Sequence, residues 1–413
     1  MYIKELEKFA IEPYFFIGED DWTKVKETYE RADVQETLAE ILMKYDLPYM
    51  EISEKEALAE YKTLKGTKWN DLFVDKKWFA RSEYEWPLST TLLKRLNTGN
   101  KASNFFQQEN RWSVCGSVSP GPLRTWGNKD FMTSLMGCLY TLKSPKVDKS
   151  VLRTGIGLRK YICSQFKPNV AKVLYEKHNA KTVLDFSMGW GDRLCGFFAS
   201  DCTEKYIGLD PRKENHPIYK QQAEFYEKHR TFFEVDKSYD FICSPAEDAD
   251  LSAYKESVDL IMTSPPYFSV ERYSNDDTQS WVRHKSIEDW NTQFLHKAID
   301  NVWETLKPGG LLMVNISDVN TTSKGTKGGK QWLKICDPMN EHLNKKNNAS
   351  YVECFGMEMA KRPNCLGIGT AEDTDDSKMD NEYHEREGSF GEPVWESRRL
   401  HDPTRVGQKT APQ

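Results

Sequence analysis

Chemistry is first suggested by a short stretch, Ser264-Pro-Pro-Tyr267, that directly follows a run of apolar residues. Val258 to Met262 has the composition of a buried strand, and Pro265 and Pro266 end it abruptly because proline cannot continue the hydrogen bonding of a strand. A strand that ends in a rigid turn commonly ends at a ligand, although a tight structural turn would use the same residues. We therefore take this stretch as the first candidate for a reacting or binding site.

A second candidate is the glycine loop in DFSMGWGDRL, where Gly189 and Gly191 follow an apolar strand that ends at Asp185. Glycines at this place let the backbone adopt unusual dihedral angles and approach a ligand closely. The third glycine of the dinucleotide-binding fingerprint would fall at Leu194, so the phosphate-binding version of the loop is disfavoured.

Acidic residues follow the next two predicted strands. Asp210 ends the second strand, where a carboxylate can accept hydrogen bonds from both hydroxyls of an adenosine ribose. The third strand leads into SPAED, in which Glu247 and Asp248 could reach an adenine edge. A helix cap or a surface charge is the alternative interpretation of each acid.

The elements that must position these residues alternate between short apolar strands and amphipathic helices. This alternation predicts an α/β fold with a mostly parallel sheet and helices on both faces, which binds ligands at the carboxyl ends of its strands. Two later stretches, VECFGMEMAKRP and EPVWESRR, predict a final antiparallel pair. An amphipathic helix is also predicted at Val34–Tyr45. The predicted core strands are 182–186, 205–210, 239–244, 258–263 and 310–316.

In the order and spacing of these motifs, residues 155 to 320 resemble the class I S-adenosylmethionine-dependent methyltransferases, and specifically the amino-methyltransferases of DNA. The resemblance implies a Rossmann-like domain with a seven-stranded, mostly parallel sheet, and S-adenosylmethionine as cofactor. It also implies DNA as the partner and the cytoplasm of a bacterial or phage-infected cell as the location.

Carried over residue by residue, the resemblance implies two sets of functional residues. Asp210 would bind the ribose, Glu247 would reach the adenine, and the glycine loop would hold the amino-acid end of the cofactor. The implied cofactor-binding residues are Asp185, Ser187, Gly189, Gly191, Asp210, Glu247, Phe166 and Pro168, and the implied catalytic residues are Ser264, Pro265, Pro266 and Tyr267.

The family's chemistry explains the Ser-Pro-Pro-Tyr stretch as a clamp for an amine. An exocyclic amine on cytosine or adenine is a poor nucleophile because its lone pair is delocalised into the ring. If Ser264 and the carbonyl of Pro265 accept its two hydrogens, the nitrogen can present its lone pair to a methyl group. Tyr267 would stack on the base, which must be flipped out of a duplex to reach the clamp.

Departures from the family pattern narrow the expected substrate. Ser264 stands where Asp or Asn is commoner, a choice that the family associates more with the cytosine amine than with the adenine amine. Ser187 holds a position where many members have Phe, because Phe186 comes one residue earlier. Methylation of cytosine carbon five needs a cysteine nucleophile, and no Pro-Cys dipeptide occurs, so Cys195, Cys243 and Cys365 are interpreted as packing residues.

Charge and composition limit the partners. The net charge is −6, yet residues 101–180 hold 13 Lys and Arg against four Asp and Glu, which predicts either one basic face or an ordinary solvated surface. A glycine-rich loop carries Lys324, Lys327, Lys330 and Lys334 and could track phosphates. The nine cysteines include no Cys-x-x-Cys pair, so no metal site is predicted, and no apolar run of about 20 residues predicts a membrane span.

The predicted organisation is an N-terminal extension over residues 1–150, a methyltransferase domain over 151–400 and a tail over 401–413. Only 75 positions separate Gly189 from Ser264, which leaves no room there for a large target-recognition domain. The extension is therefore the candidate recognition lobe, with the tail as the alternative. An RNA base-amine methyltransferase, a small-molecule methyltransferase and a cofactor- or nucleic-acid-binding protein without turnover remain alternative interpretations.

Overall fold

The computed structural model describes residues 1–117, 119–321, 331–359 and 389–401, and the chain divides into two compact units. The first unit comprises Met1–Ser53, Phe105–Ser164 and Ser269–Ser274, and the second comprises Glu54–Asn104, Gln165–Phe268 and Asn275–Gln413. The division does not follow the predicted boundary at residue 150. An apolar face can be predicted from sequence, but which faces pack together cannot.

The elements are numbered in chain order. A 3-10 helix at Lys4–Phe9 precedes α1, and a π-helical stretch at Trp290–His296 separates α13 from α14. The α-helices are α1 Glu19–Thr28, α2 Arg31–Leu42, α3 Glu54–Lys65, α4 Asn100–Trp112, α5 Pro122–Trp126, α6 Lys129–Met136, α7 Cys138–Thr141, α8 Lys149–Arg159, α9 Pro168–Lys177, α10 Asp192–Ala199, α11 Asn215–Lys228, α12 Ser280–Arg283, α13 Ile287–Asp289, α14 Lys297–Trp303 and α15 Cys336–Asn344. The strands are β1 Phe73–Asp75, β2 Trp78–Phe79, β3 Thr91–Leu93, β4 Cys115–Gly116, β5 Thr182–Asp185, β6 Lys205–Leu209, β7 Ser238–Ile242, β8 Val258–Thr263, β9 Glu271–Arg272, β10 Leu306–Asn315, β11 Val319–Thr321, β12 Gln331–Leu333, β13 Ala349–Glu358 and β14 Ser389–Arg399.

The first unit is mainly helical and has a hydrophobic core of its own. The predicted helix at Val34–Tyr45 is confirmed as α2, which begins three residues earlier and ends at Leu42. Val34 and Leu38 of α2 are fully buried in this core together with Leu135 of α6. Asn128 caps α6 by accepting a hydrogen bond from the backbone N–H of Phe131 at 3.0 Å, which satisfies a donor that the helix cannot pair.

A few of the basic residues in 101–180 are paired with acids inside this unit. Lys129 lies 2.7 Å from Glu36 and 2.6 Å from Glu40, and these contacts raise the pKa of Lys129. Lys149 lies 2.6 Å from Glu51 in the same way. These pairs reduce the positive charge that a basic face could present. The basic face itself stays a prediction.

The second unit is built on a ten-stranded sheet. Its main strands have the order β7-β6-β5-β8-β10-β14-β13, in which only β14 is antiparallel to its neighbours. The predicted count of seven strands is wrong because β1, β2 and β3 join the sheet, β3 beside β13 and β2 beside β14. These added strands have only two or three residues, too few for a two-residue alternation to show in the sequence.

The predicted core strands and the antiparallel pair are confirmed. The structure has a strand at each of the five predicted core positions, namely β5, β6, β7, β8 and β10, and each overlaps its predicted range. The two strands of the predicted antiparallel pair are β13 and β14, which pair over nearly the whole length of β13. The first strand of this domain, β5, lies between β6 and β8, so the chain order reverses there. Ligands of such sheets bind outside the carboxyl ends of the strands at this switch point, here at the ends of β5 and β8.

Three further features concern the described residues: membrane spans, metal sites and cysteines. There, no helix is both long and apolar enough to cross a bilayer, and no group of three or more His, Cys, Asp or Glu side chains could hold a metal ion. The eight described cysteines are free. Cys195 is buried as predicted, Cys243 is exposed so its packing interpretation is wrong, and Cys365 lies outside the described residues.

Glu396 supports a prediction about stability. It lies on β14 between β10 and β13 with 2% of its surface exposed, and burial raises its pKa from 4.5 to about 7. The unfolded chain therefore loses this proton at a lower pH than the folded chain does, so the free energy of unfolding falls as the pH rises from about 4.5 to about 7. We expect Glu396→Gln to raise the free energy of unfolding at pH 8 by up to about 3 kcal/mol.

At pH 4 both states of the wild-type chain hold the proton, so the same substitution should have little effect. Denaturant unfolding at the two pH values measures the difference. An effect of equal size at both would show that the charge of Glu396 is not its cause.

Candidate active site

The glycine loop after β5 is held in a conformation that only glycine adopts easily. Gly189 and Gly191 have φ angles of +56° and +70°, in the left-handed region. A Cβ atom on Gly191 would lie 2.3 Å from Oε1 of Gln222, so any other residue would have to displace that side chain. A Cβ on Gly189 would have only the carbonyl oxygen of Ser187 nearby, at 3.8 Å. The loop is therefore tight at Gly191 and open at Gly189.

Gly189 is also fixed by hydrogen bonds from the next strand and helix. Its carbonyl accepts from Nδ2 of Asn215 at 3.0 Å and from the hydroxyl of Tyr219 at 2.6 Å, both on α11. Its N–H donates to Oδ2 of Asp210 at 2.9 Å. Because both backbone groups are engaged, the loop has a set shape before any ligand arrives.

Asp185, predicted to line the cofactor, is fully buried under the loop and accepts four hydrogen bonds from the protein. Its Oδ2 accepts from Nε of Arg193 and from the hydroxyl of Tyr206, both at 2.8 Å. Its Oδ1 accepts from the backbone N–H of Ser187 at 3.2 Å and from the hydroxyl of Thr263 at 3.0 Å. Asp185 thus joins the glycine loop to the end of β8. Its position in the sequence did not indicate this structural role.

Ser187 and Phe166 also lie next to Arg193. The carbonyl of Ser187 accepts a hydrogen bond from Arg193, and the guanidinium lies over the ring of Phe166 at 4.8 Å from its centroid. Pro168 begins α9 and is buried. These three predicted cofactor residues therefore lie around the glycine loop.

Asp210 lies at the end of β6, beside the glycine loop, and is 8% exposed. Its Oδ1 accepts from the backbone N–H of Arg212 at 2.9 Å, while Oδ2 accepts from Gly189. Burial raises the pKa of its carboxyl group, and these two bonds act against that rise. A carboxylate has about four acceptor positions, so capacity for ribose hydroxyls remains.

Glu247 lies next to Arg283, and the side chain of Glu247 is only 4% exposed. Oε1 lies 3.2 Å from the guanidinium of Arg283, which also contacts Asp248 at 2.6 Å. Oε2 is buried and has no hydrogen-bond partner within the described part of the chain. Burial raises the pKa of Glu247. A buried carboxylate oxygen without a donor suits a ligand that brings an N–H or O–H group.

A second buried group without partners was missed from the sequence. Asn169, in the first turn of α9, is 1% exposed, and neither its amide oxygen nor its amide nitrogen has a partner among the described residues. It neighbours Pro168, and Gly196 of α10 packs so closely there that a Cβ would lie 2.6 Å from the carbonyl oxygen of Pro168. The orphaned amide fits the polar end of a ligand that has both donors and acceptors.

The Ser-Pro-Pro-Tyr stretch lies at the carboxyl end of β8. The Ser264 hydroxyl lies 3.2 Å from Oδ1 of Asn315, and Nδ2 of Asn315 donates to the carbonyl of Pro393 at 3.1 Å. Pro265 is buried and Pro266 is half-buried. The hydroxyl of Tyr267 donates to Glu392. Phe268, which follows, has a φ of +52°, a strained value for a residue with a side chain.

Prediction from sequence missed Thr263, Asn315 and Glu392. The signal for Asn315 was a polar residue inside the apolar stretch GLLMVNI, and the signal for Glu392 was its place in EPVW. In the segment after Tyr267, Arg283 binds the two acids of SPAED, and Trp281 lies under Nζ of Lys285 at 5.0 Å. Lys324, Lys327 and Lys330 lie outside the described residues, whereas Lys334 lies 3.1 Å from Asp318.

One stretch of the chain that includes part of this site matches a known protein family. Residues 258–365, which begin with β8 and its Ser-Pro-Pro-Tyr stretch, match a family model described as DNA methylase. No curated protein matches the chain. Among solved structures, an rRNA methylase from Streptococcus thermophilus shares 11% identity, covers 58% of this chain and 99% of its own, and has a TM-score of 0.31. A methyltransferase from Geobacter sulfurreducens shares 12% identity, covers 65% of this chain and 96% of its own, and has a TM-score of 0.30.

The sheet order, the glycine loop and the family match define an S-adenosylmethionine-dependent methyltransferase with a Rossmann-like fold. Within the chain, residues 258–365 are similar to the DNA methylase family. The enzyme class rests on this match and on the chain's own sheet. The fold and the cofactor predicted from the sequence are therefore confirmed.

The acids of SPAED give a prediction for cofactor affinity. Glu247→Ala should weaken binding of S-adenosylmethionine about 10-fold or more, because a hydrogen bond to a buried carboxylate contributes about 1.5–3 kcal/mol. Asp248→Ala removes an acid that shares Arg283 but is 53% exposed, and it should change the affinity less than about twofold. Titration calorimetry with the cofactor measures both. Equal losses would mean that the pair acts only by holding Arg283.

Proposed function

We propose that this enzyme transfers the methyl group of S-adenosylmethionine to an exocyclic amine of a DNA base, with cytosine favoured over adenine. The observation that carries the proposal is the direction of the hydrogen bond at Ser264. The carbonyl of Pro393 can only accept, so Nδ2 of Asn315 faces it and Oδ1 faces Ser264. Ser264 therefore donates its proton to Asn315 and keeps its lone pairs for a hydrogen of the amine.

The clamp works by orienting the amine. With one hydrogen accepted by Ser264 and the other by the carbonyl of Pro265, the nitrogen is drawn out of conjugation with the ring and its lone pair is exposed. The two prolines hold that carbonyl in place because their φ angles are fixed. The rate increase then comes from position and electrostatics, without a covalent intermediate on the protein.

The residues around the glycine loop fit S-adenosylmethionine. Its nucleoside and amino-acid parts require hydrogen-bond acceptors and donors, and three side chains near the loop supply them: the carboxylate of Asp210, the unpaired oxygen of Glu247 and the unpaired amide of Asn169. Gly189 leaves open space for the ligand beside them. Bound there, the cofactor would supply an electrophilic methyl group on a sulfonium. Phe166 and Pro168 would contact its methionine part.

Several features support DNA as the substrate. The family description names DNA methylases. Tyr267 offers a ring on which a flipped base can stack, and its hydroxyl is engaged by Glu392. Serine in place of Asp or Asn at the clamp favours the cytosine amine. The first unit is the candidate for target recognition, and the cytoplasm of a bacterial or phage-infected cell is the proposed location.

The proposal is tested by transfer of labelled methyl groups to unmodified duplex DNA, single-stranded DNA and transfer RNA in parallel. We expect label on DNA, and loss of that label in Ser264→Ala and Tyr267→Ala proteins that still bind the cofactor. Label only on transfer RNA would replace DNA with the RNA alternative. Cofactor binding without transfer to any substrate would favour the non-catalytic alternative.

A further inference from the structure

The hydroxyl end of Tyr267 lies beside a group of charged residues that the proposed mechanism does not use. Glu392 accepts the hydrogen bond of this hydroxyl, and its negative charge partly opposes the fall in pKa that burial causes at Lys167. Lys167 precedes the first residue of α9, whose N-terminus lies at the carboxyl edge of the sheet because α9 leads directly into β5. Tyr267, Glu392 and Lys167 therefore form one cluster at the catalytic edge.

Arg95 adds a second positive charge to this cluster. It belongs to the loop after β3, in which Oδ1 of Asn97 accepts a hydrogen bond from Nζ of Lys167 at 2.9 Å. The loop packs tightly on the start of α9, since a Cβ on Gly99 would lie 2.9 Å from Cβ of Pro168. Arg95 is exposed, and in the described parts of the chain neither Arg95 nor Lys167 forms an ion pair.

Within the described residues no carboxylate forms an ion pair with either cation, although Glu392 acts on Lys167 and Glu358 accepts a hydrogen bond from the backbone N–H of Arg95. Burial, followed by the charge of Arg95, lowers the pKa of Lys167 to about 8, and the opposing charge of Glu392 does not restore it. Two like charges that act on each other are unfavourable unless a third group joins them. The positive end of the dipole of α9, a helix of ten residues, acts in the same direction. This arrangement suits an incoming anion that accepts from both side chains.

We infer that Lys167 and Arg95 form a subsite for a backbone phosphate of the substrate strand, next to the nucleotide whose base stacks on Tyr267. The inference rests on the proposed function, because it takes the stacked base as part of a polynucleotide. A phosphate there would fix the position of the flipped nucleotide while the clamp holds its amine. Lys167 and Arg95 are positioning residues that touch the substrate and take no part in methyl transfer.

The test measures binding of a cytosine-containing single-stranded oligonucleotide to the full chain at several salt concentrations. Lys167→Met should lower the affinity about 10-fold and reduce the slope of log affinity against log salt by about 0.7, the value for one lost phosphate contact on a single strand. Arg95→Met should do the same. The matched control is Lys177→Met at the other end of α9, where the lysine lies over Phe73, and its salt slope should not change.

The affinity for S-adenosylmethionine separates the inference from its main rival. It should stay within about twofold in the Lys167 and Arg95 variants. If the variants lose cofactor affinity and keep the wild-type salt slope, the anion is the cofactor's carboxylate and the inference is wrong. If wild-type protein binds the cofactor but binds neither DNA nor RNA at low salt, the proposed function itself fails, and the inference with it.

A pH series gives an independent readout. Lys167 titrates between Arg95 on the loop after β3 and Glu392 on β14, with its pKa at about 8 in the free protein. It loses its charge as the pH rises through this value, so oligonucleotide affinity should fall between pH 7 and pH 9. Lys167→Arg keeps the charge and should remove that fall. Identical profiles for both proteins would overturn the assignment of Lys167.

Discussion

Ser264→Ala should lower the rate of methyl transfer about 100- to 1,000-fold, and Asn315→Ala about 10- to 100-fold, with cofactor affinity nearly unchanged. The first variant removes an acceptor for the amine. The second removes the group that directs the Ser264 proton away from the amine, so the hydroxyl can turn and its lone pairs are no longer presented. Single-turnover transfer rates measure both effects.

A double-mutant cycle separates orientation from general loosening of the site. If Asn315 acts through Ser264, adding Asn315→Ala to Ser264→Ala should cost almost nothing more. Asn340→Ala is the matched control, because Asn340 is equally buried and donates to the carbonyl of Cys336 on α15. Additive losses, or a control as slow as Asn315→Ala, would contradict the orienting role.

Arg193→Met should lower the free energy of unfolding by about 3–5 kcal/mol. Arg193 and Asp185 are 3% and 0% exposed, so removal of the arginine leaves a carboxylate buried beneath the glycine loop without its ionic partner. The bond from Arg193 to the carbonyl of Ser187 is lost as well. Denaturant unfolding followed by circular dichroism measures the change, and cofactor affinity should fall with it because the loop loses its support.

An exposed ion pair in the same unit provides the comparison. Lys181 and Glu204 lie 3.2 Å apart with side chains 44% and 51% exposed, and Lys181→Met should cost less than about 1 kcal/mol. If Arg193→Met costs no more than Lys181→Met, the buried pair does not hold the loop in the way its geometry indicates.

The sheet and the two loops could be predicted because each is encoded locally. Largely apolar runs of five to seven residues marked the strands, and Gly189 and Gly191 marked the turn after β5, since the φ angles there exclude most other residues. The order of these motifs along the chain then gave the cofactor and the fold. Each of these inferences used residues that are neighbours in sequence.

What could not be predicted depends on residues that meet only in the folded chain. Asp185 accepts bonds from Arg193, Tyr206 and Thr263, which belong to different elements, so the sequence did not indicate that this residue joins them. Glu392 lies 125 positions beyond Tyr267. The short strands β1, β2 and β3, and the placement of 269–274 in the first unit, likewise have no local signal.

The most direct test of the amine clamp is mass analysis of nucleosides from DNA that the enzyme has methylated in the presence of S-adenosylmethionine. The clamp predicts a methyl group on an exocyclic nitrogen, as N4-methylcytosine in preference to N6-methyladenine, and none of either with Ser264→Ala. A methyl group on cytosine carbon five, or label that persists at the wild-type rate in Ser264→Ala, would contradict it.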